Sequence, residues 1–283
     1  MIDSPLAAVA ALLECPVCRS SIDLDSGALL CVRGHSFDVA RQGYVSLSVG
    51  APKFSGDTAD MLAARGRFLD SGHFAPITAA ILDATGSPST VLEVGAGTGH
   101  YVAAVLDARP DAVGIGIDVA KPAGRRLARM HPRLAAVVAD GWQRLPLRDN
   151  SIDVALSIFA PRNTAEIRRV LTSEGTFVVV TPTPRHLAEL IDPLGMVAVD
   201  TNKAARLSET MSATFERCER RLIEHAVQLD HGAVDDVVAM GPSAFHMSPG
   251  ERAERIARLP NPVTVTVSVV LQTYRPRMAI TSA

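Results

Sequence analysis

Three glycines at alternate positions, Gly95-Ala96-Gly97-Thr98-Gly99, follow the apolar run Val91-Leu92-Glu93-Val94 and open an apolar-periodic segment that starts at His100. A chain that leaves a strand and enters a helix through bare backbone is committed to a βα unit, because glycine takes the positive φ angles of such a turn at little cost. The unit repeats. Short β-branched runs at 90–94, 113–117, 135–139, 152–158 and 176–181 alternate with amphipathic stretches near 99–108, 121–130 and 163–171. That alternation predicts a parallel sheet covered by helices on both faces. Two later segments break it. Residues 263–274 alternate Val and Thr with no crossover helix after them, and 214–229 reads as a strand, although a helix also fits it. The sheet is therefore expected to end in an antiparallel pair. With 283 residues, 47% of them hydrophobic, the chain is long enough to bury such a core beside a small second unit.

The loop also restricts the ligand. A dinucleotide fingerprint reads G-x-G-x-x-G and needs glycine at position 100, where this chain has His100. The G-x-G-x-G spacing, with Glu93 two residues before Gly95, fits instead the S-adenosylmethionine variant of the Rossmann-like fold, the class I methyltransferase. That cofactor has no pyrophosphate to cradle. Gly95, Gly97 and Gly99 would let the backbone approach its methionine part, and Glu93 would set negative charge near its ammonium and sulfonium. Asp118 closes the second run, where a carboxylate can accept both ribose hydroxyls. Asp140 closes the third, where it can accept the adenine amino group, and Trp142 can pack on the adenine face. Helix capping by the two aspartates and a core position for Trp142 are the competing readings.

Cysteine usage adds a second site. Cys15-Pro16-Val17-Cys18 and Cys31-Val32-Arg33-Gly34-His35 together spell C-x2-C-x12-C-x3-H. Two tight pairs on separate turns can aim four soft or borderline ligands at one Zn2+, and a closed Cys3His set is structural rather than catalytic. A redox C-x-x-C would open a helix of an α/β domain, which this turn-rich segment does not resemble; buried thiols of a small core are the blander alternative. Three clustered cysteines with Cys218 alone far away do not make a disulfide scaffold. A reducing, cytoplasmic setting is expected. The apolar run 6–13 lacks a basic leader and is not read as a signal peptide; no run reaches the roughly 20 residues of a membrane span.

The metal cluster and the cofactor loop on one chain resemble the 23S rRNA guanine-N1 methyltransferases, the family that includes the tylosin- and mycinamicin-resistance enzymes. The matching stretches are the two metal pairs with Ser36-Phe37-Asp38, Gly43-Tyr44-Val45, Gly56-Asp57, Ala64-Arg65, and Phe68-Leu69-Asp70-Ser71-Gly72-His73-Phe74. Beyond them match Glu93 to Gly99, Ala160-Pro161, Thr181-Pro182-Thr183-Pro184-Arg185-His186-Leu187, and the strand into Tyr274. The resemblance implies methyl transfer to N1 of a guanine in the hairpin 35 loop of 23S rRNA, with macrolide resistance as its consequence in one branch. It implies zinc on Cys15, Cys18, Cys31 and His35, and cofactor contacts from Phe74, Gly99, His100 and His186. It implies a homodimer that grips RNA between zinc modules and catalytic domains. The expected division is a zinc-binding RNA-recognition module over 1–50, a helical linker contributing to the cofactor site over 51–85, and the methyltransferase domain over 86–283. The chain departs from the family in having only Lys53 as a basic residue before Gly56-Asp57, and in lacking tryptophan near Phe245-His246.

Guanine N1 carries a proton at neutral pH, so a base must take it as the methyl moves; His186 and the pocket carboxylates are the candidates. Ser157-Ile158-Phe159-Ala160-Pro161 stands where enzymes of exocyclic amines carry Asn/Asp-Pro-Pro-aromatic, and no cysteine lies near. Both absences agree with a ring nitrogen as target. For the RNA grip the candidates are Arg19, Arg33 and Arg41 in the zinc module, and Lys121, Arg125, Arg126, Arg129 and Arg133 on one predicted helix, unless the latter are a solvated face. The net charge of −2 is not that of a basic RNA binder. Two other readings stay open: a small-molecule methyltransferase whose zinc ribbon serves as dimer or lid element, and a non-enzymatic RNA-binding scaffold with a relict cofactor site.

Overall fold

The structure is a computed structural model that describes residues 4–50, 56–160, 162–197, 211–241 and 247–277. Lys53, Pro161, Phe245 and His246 lie outside the described residues. The predicted alternation is realised as β5 (Thr90–Val94), α4 (His100–Ala108), β6 (Val113–Asp118), α5 (Lys121–Met130), β7 (Leu134–Val138), β8 (Ile152–Ile158), α6 (Thr164–Val170) and β9 (Leu171–Pro182). These five strands are parallel neighbours in the order β7-β6-β5-β8-β9. Two long strands complete the sheet. β10 (Phe215–Leu229) pairs antiparallel with β11 (Val263–Pro276), which pairs antiparallel with β9. The sheet thus ends in the expected antiparallel arrangement, and 215–229 is a strand, not a helix.

Helices cover both faces. α2 (Ala59–Asp70) starts at Thr58, whose hydroxyl accepts the Met61 amide, and α3 (Ala75–Thr85) begins with Pro76 in its first turn. α7 (Ala188–Leu194), α8 (His231–Ala239) and α9 (Pro249–Ile256) were not expected from periodicity; they are short, and α7 contains Pro193. Among the described residues, no helix is long and apolar enough to cross a membrane.

Residues 4–50 attach themselves to the large sheet. β1 (Ile22–Asp25), β2 (Ala28–Cys31) and β3 (Ser36–Asp38) form a small antiparallel sheet. The β1–β2 turn runs through Ser26 and Gly27, both at positive φ, the two-residue geometry that suits strand twist. β4 (Val45–Ser46) leaves this unit and pairs in parallel with β7, so it covers that edge of the central sheet. α1 (Pro5–Val9) buries Leu6 and Val9 in one cluster with Leu92, Ile115 and Val137 of the sheet. The Glu14 carboxylate meets Arg144 at 2.7 Å, and the Arg148 amide donates to the Leu12 carbonyl at 2.9 Å.

Arg133 is not on α5, which ends at Met130 before Pro132. Its guanidinium donates to the carbonyls of Leu106, Arg109 and Ala112 and so satisfies the C-terminal end of α4. It is a structural residue rather than a phosphate contact. Replacing it while keeping its aliphatic stem, Arg133→Met, should lower unfolding stability by about 1–3 kcal/mol. Urea denaturation should show the midpoint falling at constant m value; an unmoved midpoint would mean that water replaces the guanidinium without loss.

Candidate active site and metal centre

The turn between β5 and α4 is held from below. The amides of Gly95 and Ala96 both donate to the Ile117 carbonyl, at 2.9 and 3.1 Å, and the Gly97 amide donates to Asp118 Oδ2 at 2.9 Å. Gly97 and Gly99 sit at φ +54° and +81°. A Cβ on Gly97 would lie 2.7 Å from Arg65 Nη1, and one on Gly99 would lie 2.7 Å from Leu127 Cδ2. Both positions therefore need glycine for conformation, and Gly99 also for space. They shape the loop without lining the cavity above it, whereas Gly95 lines it directly.

That cavity measures about 570 Å³ and is bordered by Glu93, Asp118, Asp140, Trp142, Phe74, His100 and His186, all expected from the sequence. Glu93 is 2% exposed and accepts the Val102 amide at 3.1 Å. Burial pushes its carboxyl up to about 8, Asp118 adds to the rise, and the Val102 amide and Arg65 oppose it. Asp118 closes β6 and accepts two amides, Gly97 on Oδ2 and Ala120 on Oδ1, each at 2.9 Å; burial raises its carboxyl nonetheless. Asp140 lies two residues beyond β7 and accepts the Trp142 amide at 2.9 Å. Trp142 is 47% exposed, so its indole stands at the rim and is not a core anchor. The His100 ring reaches Thr78 Oγ1 at 3.4 Å, and burial lowers its pKa.

The opposite wall is aromatic. Phe159 follows β8 with φ +54°, a conformation that costs a bulky residue about 1–2 kcal/mol. Its amide donates to the Val180 carbonyl, and the Ser157 hydroxyl bonds the Ala160 carbonyl, so the turn is clamped from both sides. The Phe159 ring is 40% exposed and stacks on His186 at 5.7 Å and 25°. Phe74 lies 5.6 Å from the same imidazole. His186 Nδ1 accepts the Ser268 amide of β11 at 3.2 Å, so the neutral ring carries its proton on Nε2. Burial, then His225, lowers the pKa of His186 to about 4, which keeps it neutral.

Sequence reasoning missed Phe159, Asp57, Arg65 and Tyr101, which also border the cavity. Phe159 had a signal, an aromatic side chain at the end of the fourth parallel strand. Asp57 and Arg65 had only their place in a matching stretch. They form an ion pair at 2.5 Å, and Arg65 Nη2 donates to the Met240 carbonyl at 2.8 Å.

At the other site, the ligand atoms of Cys15, Cys18, Cys31 and His35 lie within 4.8 Å of one another. Cys18 Sγ is 3.3 Å from Cys31 Sγ, and Cys15 Sγ is 3.5 Å from His35 Nδ1. A tetrahedron with zinc–sulfur bonds of 2.3 Å has edges of about 3.8 Å, so the four residues fit the ion. The Ser20 hydroxyl and amide draw the Cys18 thiol down to about 6, toward the thiolate that a metal needs. With all four positions supplied by protein, the zinc is structural.

Residues 13–48 match the family described as RlmA, N-terminal, and residues 91–175 match the family described as Methyltransferase domain. The chain is 47% identical to a 23S rRNA (guanine(748)-N(1))-methyltransferase of Streptomyces fradiae, over 93% of this chain and 96% of that one. It is 46% identical to a protein of Micromonospora griseorubida provisionally named 23S rRNA (guanine-N(1)-)-methyltransferase, over 93% and 97%. Among solved structures, a chain from the complex between the Haloferax volcanii Trm112 methyltransferase activator and its methyltransferase superposes with a TM-score of 0.52 at 20% identity, covering 78% of this chain and 99% of that one. It shares the fold.

If Glu93 faces the ammonium and sulfonium of S-adenosylmethionine, as the sequence leads one to expect, it must ionise when the cofactor binds. Cofactor binding should therefore release a proton, and affinity should rise with pH toward about 8 and flatten above it. The slope is at most roughly tenfold per pH unit. Calorimetric titration in buffers of different ionisation enthalpy reads the proton directly, and Glu93→Gln should remove it. A buffer-independent enthalpy in the native protein would contradict the raised carboxyl.

Proposed function

The chain belongs to the 23S rRNA (guanine-N1)-methyltransferases, and from that premise we propose that it methylates N1 of a guanine in the hairpin 35 loop of 23S rRNA. It works in the cytoplasm as a homodimer, and in its host the product methyl lowers sensitivity to tylosin- or mycinamicin-type macrolides. The observation that carries the catalytic reading is the flat Phe159–His186 wall facing the cofactor cavity. A base from a hairpin loop is already partly unstacked and can be received by such a wall at modest cost.

Bound S-adenosylmethionine supplies an electrophilic methyl group. Glu93, Asp118 and Asp140 hold its cationic, ribose and adenine parts, with Gly95, His100 and Trp142 beside them, on the loop that Gly97 and Gly99 shape. Phe74 buttresses the ring of His186. His186 serves as donor rather than base, because its Nδ1 lone pair is occupied by the Ser268 amide. Its Nε2–H has no partner among the described residues and suits guanine O6, the oxygen that gathers charge as N1 passes its proton to a carboxylate facing the pocket, the remaining candidate base. A fixed donor aimed at developing charge is the usual source of large rate effects.

The RNA grip divides between two basic surfaces that meet. Arg19, Arg33 and Arg41 are exposed in the zinc module, as are Lys121, Arg125, Arg126 and Arg129 on α5. The turn after Arg41 packs on that helix: a Cβ on Gly124 would lie 3.2 Å from Tyr44 Cγ, and one on Gly43 would lie 3.5 Å from Ala128 Cβ. The homodimer rests on the family resemblance, together with β10 as an edge strand of the sheet, with no further strand on its outer side among the described residues. Light scattering tests it.

Two experiments test the reading. Primer extension on 23S rRNA from cells with and without the gene should show a gene-dependent stop in the hairpin 35 loop, because an N1 methyl blocks Watson–Crick pairing; no stop there sinks the assignment. His186→Ala should lower kcat by about 100-fold, with His186→Gln recovering part of it. The acid limb of the kcat–pH profile should persist in His186→Ala, whereas a base role for His186 would erase that limb.

A further inference from the structure

The cofactor carries three charges on its amino-acid end, and the residues discussed so far answer only two of them. Its ammonium and sulfonium meet Glu93 and the other acids. Its α-carboxylate enters a cavity bordered by four carboxylates, Asp57, Glu93, Asp118 and Asp140. Burying a carboxylate among carboxylates with no partner is prohibitive. Four of the five loop amides, those of Gly95, Ala96, Gly97 and Gly99, are already bonded to Ile117, Asp118 and Ala96 and carry no full charge to offer.

Among the described residues bordering the cavity, Arg65 is the sole lysine or arginine. It projects from α2, and its Nη1 lies over Gly97, where a Cβ would come within 2.7 Å. Asp57 on Nη1 and the Met240 carbonyl on Nη2 fix the plane of the guanidinium. Five N–H donors serve a fork of this kind, and these two contacts leave the rest available. The side chain is 27% exposed, neither free in solvent nor sealed in the core. We propose that Arg65 is the receptor for the α-carboxylate of S-adenosylmethionine, pre-oriented over the glycine loop by Asp57 and the Met240 carbonyl. This rests on the cavity being the cofactor site. It gives the segment ahead of the sheet a direct part in binding: α2 supplies the cation, and the Gly56-Asp57 turn supplies the counter-ion that keeps it in place.

The test compares S-adenosylmethionine with its decarboxylated form, which differs only in lacking that carboxylate, by calorimetric titration of the full zinc-loaded protein without RNA. Wild type should prefer the parent by roughly 10- to 100-fold, the worth of a charge-assisted bidentate contact. In Arg65→Met the preference should shrink to about threefold or less, while the decarboxylated cation binds as well as before or better, having lost a like charge nearby. Arg65→Lys keeps charge without the fork and should fall between; if Arg65→Met does not fold, a reduced preference in Arg65→Lys carries the test. An unchanged preference in the variants overturns the proposal. So does an equal loss for both ligands, which would make Arg65 a brace for the loop. Wild type that binds neither ligand sinks the cofactor reading beneath it, a result told apart before any variant is made.

Discussion

Everything at the catalytic end depends on how the end of β6 holds the loop that leaves β5. Ile117 offers one carbonyl to two successive amides, and Asp118 offers one oxygen to Gly97 and the other to Ala120. The carboxylate expected to receive ribose hydroxyls is thus also a strut of the glycine turn. An anion that is hydrogen-bonded before the ligand arrives needs little reorganisation when it comes, and preorganisation of this sort is where binding sites save most. The arrangement also explains the burial of Glu93. Once the loop is pinned, the side chain one residue before the strand end turns under the start of α4, where it accepts the Val102 amide.

Patterns set by local periodicity were legible in the sequence, and so was the chemistry tied to them. The parallel strands, the antiparallel end, the glycine loop and the Cys3His spacing all follow from residues close in the chain. What escaped is what tertiary contacts impose. β4 is two residues long and exists because β7 offers it an open edge. α1 is too short to be stable alone and forms because Leu6 and Val9 find the sheet. Arg133 read as the last base of a helical stripe, yet Pro132 ends the pattern, and three carbonyls in and just after the last turn of α4 claim the side chain. The tautomer of His186 is set by Ser268, 82 positions later. No spacing rule reaches that far.

The zinc unit is less separable from the rest than its compact motif implies. Its apolar residues, Ile22 and Leu29 with Cys15 and Cys31, belong to the cluster that backs the central sheet. The ion therefore does more than stiffen an appendage. It fixes two turns whose tips expose Val17, Arg19, Val32 and Arg33, while the strand that leaves them is stitched to β7, beside the β6 that supports the cofactor loop. A contact made by RNA at the knuckles, as proposed, would thus be only a few strands from the cofactor cavity. Both ends of the recognition problem are referred to one rigid frame.

A net charge of −2 looks wrong for a protein that handles RNA until the charges are sorted by place. Four acids face inward to the cavity proposed for a cationic cofactor, and three of them, Glu93, Asp118 and Asp140, are at least mostly buried. They contribute to the formal count but little to the field outside, the more so because Glu93 holds its proton to about pH 8. The exposed arginines of the zinc turns and α5 face the solvent. A polyanion responds to that local field within a Debye length of about 8 Å at physiological salt, not to the sum over the chain. The same segregation demands an answer inside: a cavity made acidic for an ammonium and a sulfonium must still accommodate a carboxylate. Among the described residues, the one guanidinium on its border, Arg65, held by an aspartate and a carbonyl, is the element proposed to reconcile the two.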